Sequence, residues 1–418
     1  MPISAPRGTQ DILPAEAARW QALEAIFRQF CARYGYGEIR TPIFETTELF
    51  TRGVGEETDI VSKQMYTFET RGGDSITLRP EGTAPAVRAL IQHNLMAASG
   101  VQKLCYTGPI FRYERPQKGR YRQFNQLGVE AFGSAGPEID AEVLIFASDF
   151  LQAVGIAEAQ LELNSVGCPA CRPQYREALR TALAPVRGEL CGDCERRFDT
   201  NPLRILDCKV PRCKELTVDA PVILDILCDE CKTHLAGVEK GLQSAGIPYV
   251  INPHIVRGLD YYTRTAFEFV TGGLGAQNTV LAGGRYDGLV QELGGSSTPA
   301  IGFAAGEERL LLSAGDNFPL PAVPGPVFLA AMGEAAAART FTLAVELRRA
   351  GVATAISYGG RSLKAQLKEA NRLGASYTLI LGDNELSREE ITLRNMASSE
   401  QEVIPLGDVL AEIGKLLP

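Results

Sequence analysis

Apolar residues recur at three- and four-residue steps early in the chain, at Trp20, Leu23, Phe27, Phe30 and Tyr34. That spacing predicts a helix that buries one stripe. Pro14 suits its first turn, because the N–H a proline lacks has no intrahelical partner there. The stripe ends at Tyr34-Gly35-Tyr36-Gly37, a turn, and residues 38–45 then read as a strand. Pro42 cannot donate to a ladder, so that strand is expected at an edge or in a special environment. Short strands follow near residues 64–69, 76–79, 103–112 and 123–132, the first two joined by Thr70-Arg71-Gly72-Gly73-Asp74, which has hairpin-turn chemistry. Strands grouped with few helices between them predict a mostly antiparallel sheet.

A helix is predicted over 139–154 and strands over 161–164, 249–255 and 266–271, followed by the glycine-rich runs 272–275 and 283–285. Four prolines between Pro319 and Pro326 make a stiff connector. Beyond it, residues 327–331, the helix from Glu334, 353–357, the helix from Ser362 and 377–381 alternate as βαβαβ, a separate small α/β domain. The fold class expected is therefore α+β.

Composition changes this picture little. The 418 residues carry a net charge of −8, and 45% are hydrophobic, an ordinary globular balance. No apolar run approaches the ~20 residues that span a bilayer, and the N-terminal sequence lacks a secretory pattern, so a cytoplasmic protein without a membrane partner is expected. Cysteine is the exception. Eight of the 10 fall between Cys168 and Cys231, a clustering that suggests a thiol or metal subdomain within 168–233.

Five segments carry chemistry. Residues 111–124 hold five basic side chains and one acid, net +4, between two strands. Arginines there can clamp phosphates and Phe124 can stack on a base, with a solvated hairpin tip as the alternative. Arg79-Pro80-Glu81-Gly82-Thr83 puts a carboxylate on a turn, able to hold an ammonium or to cap the next helix. Arg257-Gly258-Leu259-Asp260-Tyr261-Tyr262 packs a cation, an anion and two phenols together. Gly283-Gly284-Arg285-Tyr286-Asp287 and Gly306-Glu307-Glu308-Arg309 close the same half of the chain. The three histidines, His93, His234 and His254, fall in no metal-binding or triad spacing.

In this order, the segments resemble the class II aminoacyl-tRNA synthetases and, among them, the histidyl-tRNA synthetase family. The first helix with the Pro42 strand is similar to the family's dimer-forming motif 1, Phe111–Phe124 to motif 2, and Gly302–Arg309 to motif 3. The 257–262 run is similar to the signature of the histidine-specific members, and Pro6-Arg7-Gly8-Thr9 with Asp11 also fits. The resemblance implies a class II antiparallel sheet with flanking helices in two parts, 1–167 and 234–318. It also implies an inserted subdomain at 168–233, a linker at 319–326 and an anticodon-binding domain at 327–418.

It implies a ligase that activates L-histidine with ATP and Mg2+ to histidyl-adenylate and transfers it to tRNA(His), as a homodimer. Arg112, Arg257 and Arg309 surround the phosphates as the catalytic set, with Glu114 on the adenine amino group and Phe124 stacked on the ring. Glu130 and Tyr262 read the two imidazole nitrogens. Glu81, Thr83 and Gln126 hold the α-amino group beside Gly82, and Tyr261 lines the pocket. Arg115 and Gln117 meet the tRNA's acceptor end. In the last domain Arg361, Lys364, Lys368 and Arg372 fall within roughly an 80° arc of a helix, a stripe suited to tRNA phosphates or simply a solvated face. A non-catalytic, histidine-sensing regulatory paralogue of ATP phosphoribosyltransferase is the rival, set aside because the three arginines and the last domain are present.

The insert leaves two readings. Cys168-x-x-Cys171, Cys191-x-x-Cys194 and Cys228-x-x-Cys231, with Cys208 and Cys213 between, have the spacing of structural zinc sites. The resembled chemistry needs no zinc, and such inserts act as tRNA-contacting appendages. Buried or redox-sensitive thiols are therefore preferred, structural zinc is the less favoured alternative, and no metal ligand is assigned.

Overall fold

The computed structural model describes residues 3–55, 58–97, 100–256, 259, 261–272, 278–322 and 324–416. The chain divides into two compact units, Met1–Leu320 and Pro321–Pro418.

The described residues form sixteen strands. In the first unit they are β1 Gly37–Glu38, β2 Phe44–Thr46, β3 Tyr66–Glu69, β4 Ser75–Leu78, β5 Gln102–Phe111, β6 Gln123–Phe132, β7 Gln160–Ser165, β8 Tyr249–Ile251, β9 Thr263–Val270, β10 Thr279–Arg285 and β11 Ala300–Gly306. Eight of them form one sheet in the order β1-β5-β6-β11-β10-β9-β7-β8. Only its two edge pairs, β1 with β5 and β7 with β8, are parallel. A second sheet, β2-β4-β3, includes the hairpin read from residues 70–74.

The strand expected over 38–45 is instead two short pieces in two different sheets. Pro42 has no N–H to offer a ladder. Around it, the Thr41 carbonyl is taken by Arg79 Nη1 at 3.1 Å and the Ile43 carbonyl by the Arg79 N–H at 2.9 Å. The chain thus leaves one edge and starts another.

One face of the large sheet is apolar and covered by helices. The helix Pro14–Arg33 buries Trp20, Leu23, Phe27, Phe30 and Cys31. Phe27 meets Phe146 and Phe150 of the helix Pro137–Ala153 edge-on at 6.3 and 5.6 Å. Strand alternation sends Leu127, Val129 and Ala131 of β6 into this core and leaves Gln126, Gly128 and Glu130 for the opposite face.

A polar knot ties sheet and helix together. Asp140, fully buried on the helix Pro137–Ala153, accepts from Arg285 Nη1 at 2.5 Å, Thr265 Oγ1 at 2.5 Å and His234 Nε2 at 2.8 Å. Arg285, equally buried, also donates to the Ser134 carbonyl at 2.5 Å and reaches Asp287 at 3.2 Å. Such a pair is tolerable because every charged atom has a partner.

The insert, 168–233, belongs to the first unit and contains no strand among its residues. In the second unit β12 Val327–Met332, β13 Thr354–Ile356, β14 Tyr377–Gly382, β15 Glu390–Asn395 and β16 Gln401–Pro405 form a sheet ordered β13-β12-β14-β15-β16. The βαβαβ part is as read from the sequence, with the helices Glu334–Arg349 and Leu363–Arg372 as crossovers. The antiparallel pair β15–β16 extends it.

The Asp140→Asn variant is expected to lose roughly 3–5 kcal/mol, because Arg285 then stays buried without a counter-charge. Urea unfolding of the full chain measures this; a loss below about 1 kcal/mol would show the pair to be dispensable.

Candidate active site

The polar face of the large sheet carries a cavity of about 330 Å³, within the size range of small-molecule sites. Its floor follows from the register. Glu130 of β6 lies opposite Gly302 of β11, and a Cβ at 302 would sit 1.9 Å from Glu130 Oε2. Glycine is the residue that leaves the carboxylate room. Gly82 plays the same part on the next wall, where a Cβ would lie 2.2 Å from the Tyr106 ring.

Glu130 is buried, and three hydroxyls converge on it. Thr83 Oγ1 donates to Oε1 at 2.7 Å, Tyr106 OH donates to the same oxygen at 3.1 Å, and Tyr286 OH donates to Oε2. Burial pushes its carboxyl up to about 8, although the hydroxyls of Tyr286, Thr83 and Tyr106 oppose the shift. Nearby, Glu81 accepts the N–H groups of Thr83 at 2.9 Å and Ala84 at 2.6 Å, which caps the helix Thr83–Gln92. The capping expected of that turn is met, and Glu81 also lines the cavity. Burial raises its carboxyl above the ordinary range while these two N–H groups and Arg112 act against that.

Gln126 lines the cavity with its buried Oε1 accepting no hydrogen bond among the described residues. Tyr261 and Tyr262 form an aromatic wall, their rings 4.8 Å apart, and Tyr261 meets Tyr286 at 5.6 Å. An acceptor in an aromatic cage with an amide beside it suits a small ring bearing N–H groups.

The other half of the cavity is cationic. Arg112 follows β5; its Nε donates to the Pro80 carbonyl at 2.7 Å and its guanidinium lies 5.4 Å from the Phe124 ring centroid. Glu114 pairs with Arg120 at 2.7 Å and stands 4.0 Å from Arg112. Arg309, on the helix Glu307–Ala314, lines the same cavity with Arg120, and so does Glu308. The Glu308 carboxylate receives the Asn125 N–H at 3.0 Å, and burial pushes it up to about 7.

Of the residues singled out in the sequence, Arg112, Arg309, Glu81, Gly82, Thr83, Glu114, Phe124, Gln126, Glu130, Tyr261 and Tyr262 all line this one cavity. Arg115 and Gln117 lie exposed outside its lining. Arg257, Gly258 and Asp260 are outside the described residues, as is most of the 272–275 run. Tyr106, Tyr286 and Arg120 were assigned no role from the sequence. Tyr286 sits in a motif that was singled out and Arg120 in the basic loop; Tyr106 carried no local signal, because its place depends on pairing with Gly128.

In the second unit the basic stripe needs a correction. The helix begins at Leu363, and Arg361 precedes its N-cap Ser362. Gly359 and Gly360 have φ of 84° and 60°, and Gln366 Nε2 binds the Arg361 carbonyl at 2.8 Å. Arg361 is thereby held off the helix, 3.4 Å from Glu369. Lys364, Lys368 and Arg372 remain, exposed on one face.

The eight insert cysteines gather into two groups of four: Cys168, Cys171, Cys228 and Cys231, and Cys191, Cys194, Cys208 and Cys213. The first Cys-x-x-Cys pair thus partners the third, and the second partners the two isolated cysteines.

Comparison with known proteins gives one answer. The family profile described as histidyl-tRNA synthetase matches residues 8–170 and 219–310, and an anticodon binding domain profile matches 326–416. A histidine–tRNA ligase of Desulforamulus reducens is 52% identical over 97% of each chain. One of Halothermothrix orenii is 50% identical over 100% of each. The crystal structure of apo S. aureus histidyl-tRNA synthetase is 40% identical and superimposes with a TM-score of 0.83 over 98% of this chain and 99% of that one.

The raised carboxyl of Glu130 has a consequence for stability. A group whose folded-state value exceeds its unfolded one contributes stability that is complete below the ordinary carboxylate range and is lost as pH rises through about 8. In the unliganded protein, the Tm of wild type relative to Glu130→Gln is therefore expected to fall between pH 5 and pH 9. A pH-independent difference would show that the carboxyl ionises normally.

Proposed function

The chain belongs to the histidyl-tRNA synthetase family, and we propose that the cavity described above joins histidine to the α-phosphate of ATP and hands the histidyl group to tRNA. The activity is the charging of tRNA with histidine. The regulatory-paralogue alternative is not favoured, since full-length relatives at about 50% identity are named as ligases.

In the first step a histidine carboxylate oxygen attacks the α-phosphorus, the bond to the bridging oxygen breaks, and pyrophosphate leaves. In the second, the 3′-terminal ribose hydroxyl of the tRNA attacks the carbonyl carbon and AMP leaves. Neither step requires a covalent bond to the protein, so the chain contributes position and charge. Arg112 is assigned to the α-phosphate, fixed by its bond to the Pro80 carbonyl, and Arg309 to the γ-phosphate. Arg257 is assigned to the far side of the α-phosphate by its place in the histidine signature. Permanently charged guanidiniums suit this work because they keep their protons. Phe124 stacks on adenine, and Glu114 accepts from its amino group. Mg2+ enters with the ATP; Glu308 and Glu268, which line the cavity, are oxygen donors of the kind it takes, and it supplies neutralisation of phosphate charge.

Substrate choice falls to Glu130 and Tyr262 on the two ring nitrogens, and to Glu81, Thr83 and Gln126 on the α-amino group. The observation that carries the reading is that a buried, hydroxyl-held carboxylate in an aromatic cage shares one cavity with Arg112 and Arg309. Arg115 and Gln117, and Lys364 and Lys368 in the last unit, are assigned to tRNA; Arg361 joins them from the loop before the helix. A homodimer is assigned through the small sheet, where Ile43, Phe44 and Phe68 are exposed. A reducing cytoplasm suits ten free cysteines. Among the described residues, no helix is long and apolar enough to cross a membrane.

ATP–pyrophosphate exchange measured with each of the twenty amino acids is expected to respond to histidine alone; exchange driven by another amino acid at comparable kcat/KM would refute the reading. Truncation after Leu320 is expected to lower tRNA charging at least about tenfold more than exchange, a loss of ~1.4 kcal/mol or more in tRNA contact. Equal losses would make the last unit a support for the cavity instead.

A further inference from the structure

None of the eight cysteines lines the cavity, and the geometry of the two groups is specific. In the outer group, Cys168 Sγ lies 3.6 Å from Cys171 Sγ and 3.7 Å from Cys228 Sγ, and Cys171 Sγ lies 3.9 Å from Cys231 Sγ. In the inner group, Cys191 Sγ lies 3.8 Å from Cys208 Sγ. Within each group all four sulfurs fall within 4.8 Å of one another.

A tetrahedron built from metal–sulfur bonds of ~2.3 Å has edges of ~3.8 Å, close to the spacing of the four sulfur pairs above. Disulfides would bring sulfurs together in twos at ~2.05 Å, whereas Cys168 has two sulfur neighbours at nearly equal range. Ordinary packing of thiols as small apolar groups would turn them toward carbon, not gather four on one point. A cubane iron–sulfur cluster anchors its cysteines on the outside of a cage, farther apart than this. Backbone N–H groups also point at the sulfurs, from Cys168 to Cys171 Sγ at 3.2 Å and from Cys191 to Cys213 Sγ at 3.3 Å, as a thiolate's charge requires.

The surroundings show why such sites belong here. Each quartet sits in its own small core: Cys171 and Cys231 with Tyr175, Leu179 and Leu227, and Cys194, Cys208 and Cys213 with Leu183 and Phe198. Two cores this small, joined by short helices with no strand, need a staple beyond apolar burial. The quartets are nested, since the outer one joins residues 60 positions apart and encloses the inner one. The inner quartet also reaches the active site, because Asp207 and Lys209, which flank Cys208, line the cavity. The residues matched by the histidyl-tRNA synthetase profile stop at 170 and resume at 219, so all four inner cysteines lie outside that shared pattern.

We propose that the insert binds two zinc ions, one in each cysteine quartet, as closed structural sites, and that the inner ion fixes the Asp207–Lys209 segment against the cavity. This reverses the preference for metal-free thiols drawn from the sequence. Four sulfurs converging on one centre is information that spacing along the chain does not carry.

Metal analysis of the full-length protein, purified under reducing conditions without chelator, decides the matter. Two zinc ions per chain are expected. Titration with an organomercurial is expected to release one zinc for every four thiols modified, and Co2+ replacement to give the visible spectrum of a tetrahedral tetrathiolate site. Cys194→Ser/Cys213→Ser and Cys171→Ser/Cys231→Ser are each expected to retain one ion of the two. Wild-type protein with no zinc, whether its eight thiols titrate freely or are found as disulfides, overturns the proposal, as does iron in place of zinc. A single zinc per chain overturns the two-site form.

Discussion

Burying one carboxylate in the middle of a sheet is the constraint around which the catalytic unit is arranged. An isolated charge there is costly, so burial pushes the Glu130 carboxyl up to about 8 even though three hydroxyls from three separate elements reach it. Each hydroxyl imposes a condition on the fold. Thr83 must open a helix beside the sheet, so Glu81 and Gly82 form the turn before it. Tyr106 must cross over Gly128 and Gly82, so both are glycine. Tyr286 must leave β10 toward the same point, so Arg285 before it turns to the opposite side and needs Asp140. The cavity's buried carboxyl and the sheet's internal anchoring are in this way two sides of one strand end.

The cavity's division of labour follows from dielectric environment. The end around Glu130 is enclosed by Tyr106, Tyr261 and Tyr286, whose phenols burial holds well above their ordinary value. They remain neutral hydrogen-bonding groups. The cationic end holds Arg112, Arg120 and Arg309 with Glu114, where charge is retained because each guanidinium resists deprotonation. Neutral hydrogen-bonding phenols and permanently charged guanidiniums thus occupy adjoining but chemically distinct halves of one cavity.

Much of this was legible in the sequence, for identifiable reasons. The helix at 14–33 announced itself by its apolar period, and the βαβαβ order of the last unit by alternation and a proline-rich boundary. Arg112, Glu81 and Arg309 were readable because each sits in a compact run of unusual residue types. What the sequence withheld depends on contacts between distant segments. Tyr106 is ordinary until β5 is paired with β6. Pro42 signalled an edge but not that the chain changes sheets there. Arg361 looked helical by count, whereas two left-handed glycines and the Gln366 side chain keep it out of the helix. Cysteine pairing was the plainest case: equal spacing in three pairs gave no hint that the first would join the third.

The glycine opposite Glu130 also bears on how this cavity can diverge. Any side chain at position 302 would occupy the space of the carboxylate itself, so a variant there cannot reshape the pocket while Glu130 keeps its place. Acquiring a taste for a different substrate along that wall would take simultaneous changes at both positions. The intermediate with only one of them altered would have a collapsed or clashing floor, which makes this stretch of β11 an evolutionary cul-de-sac.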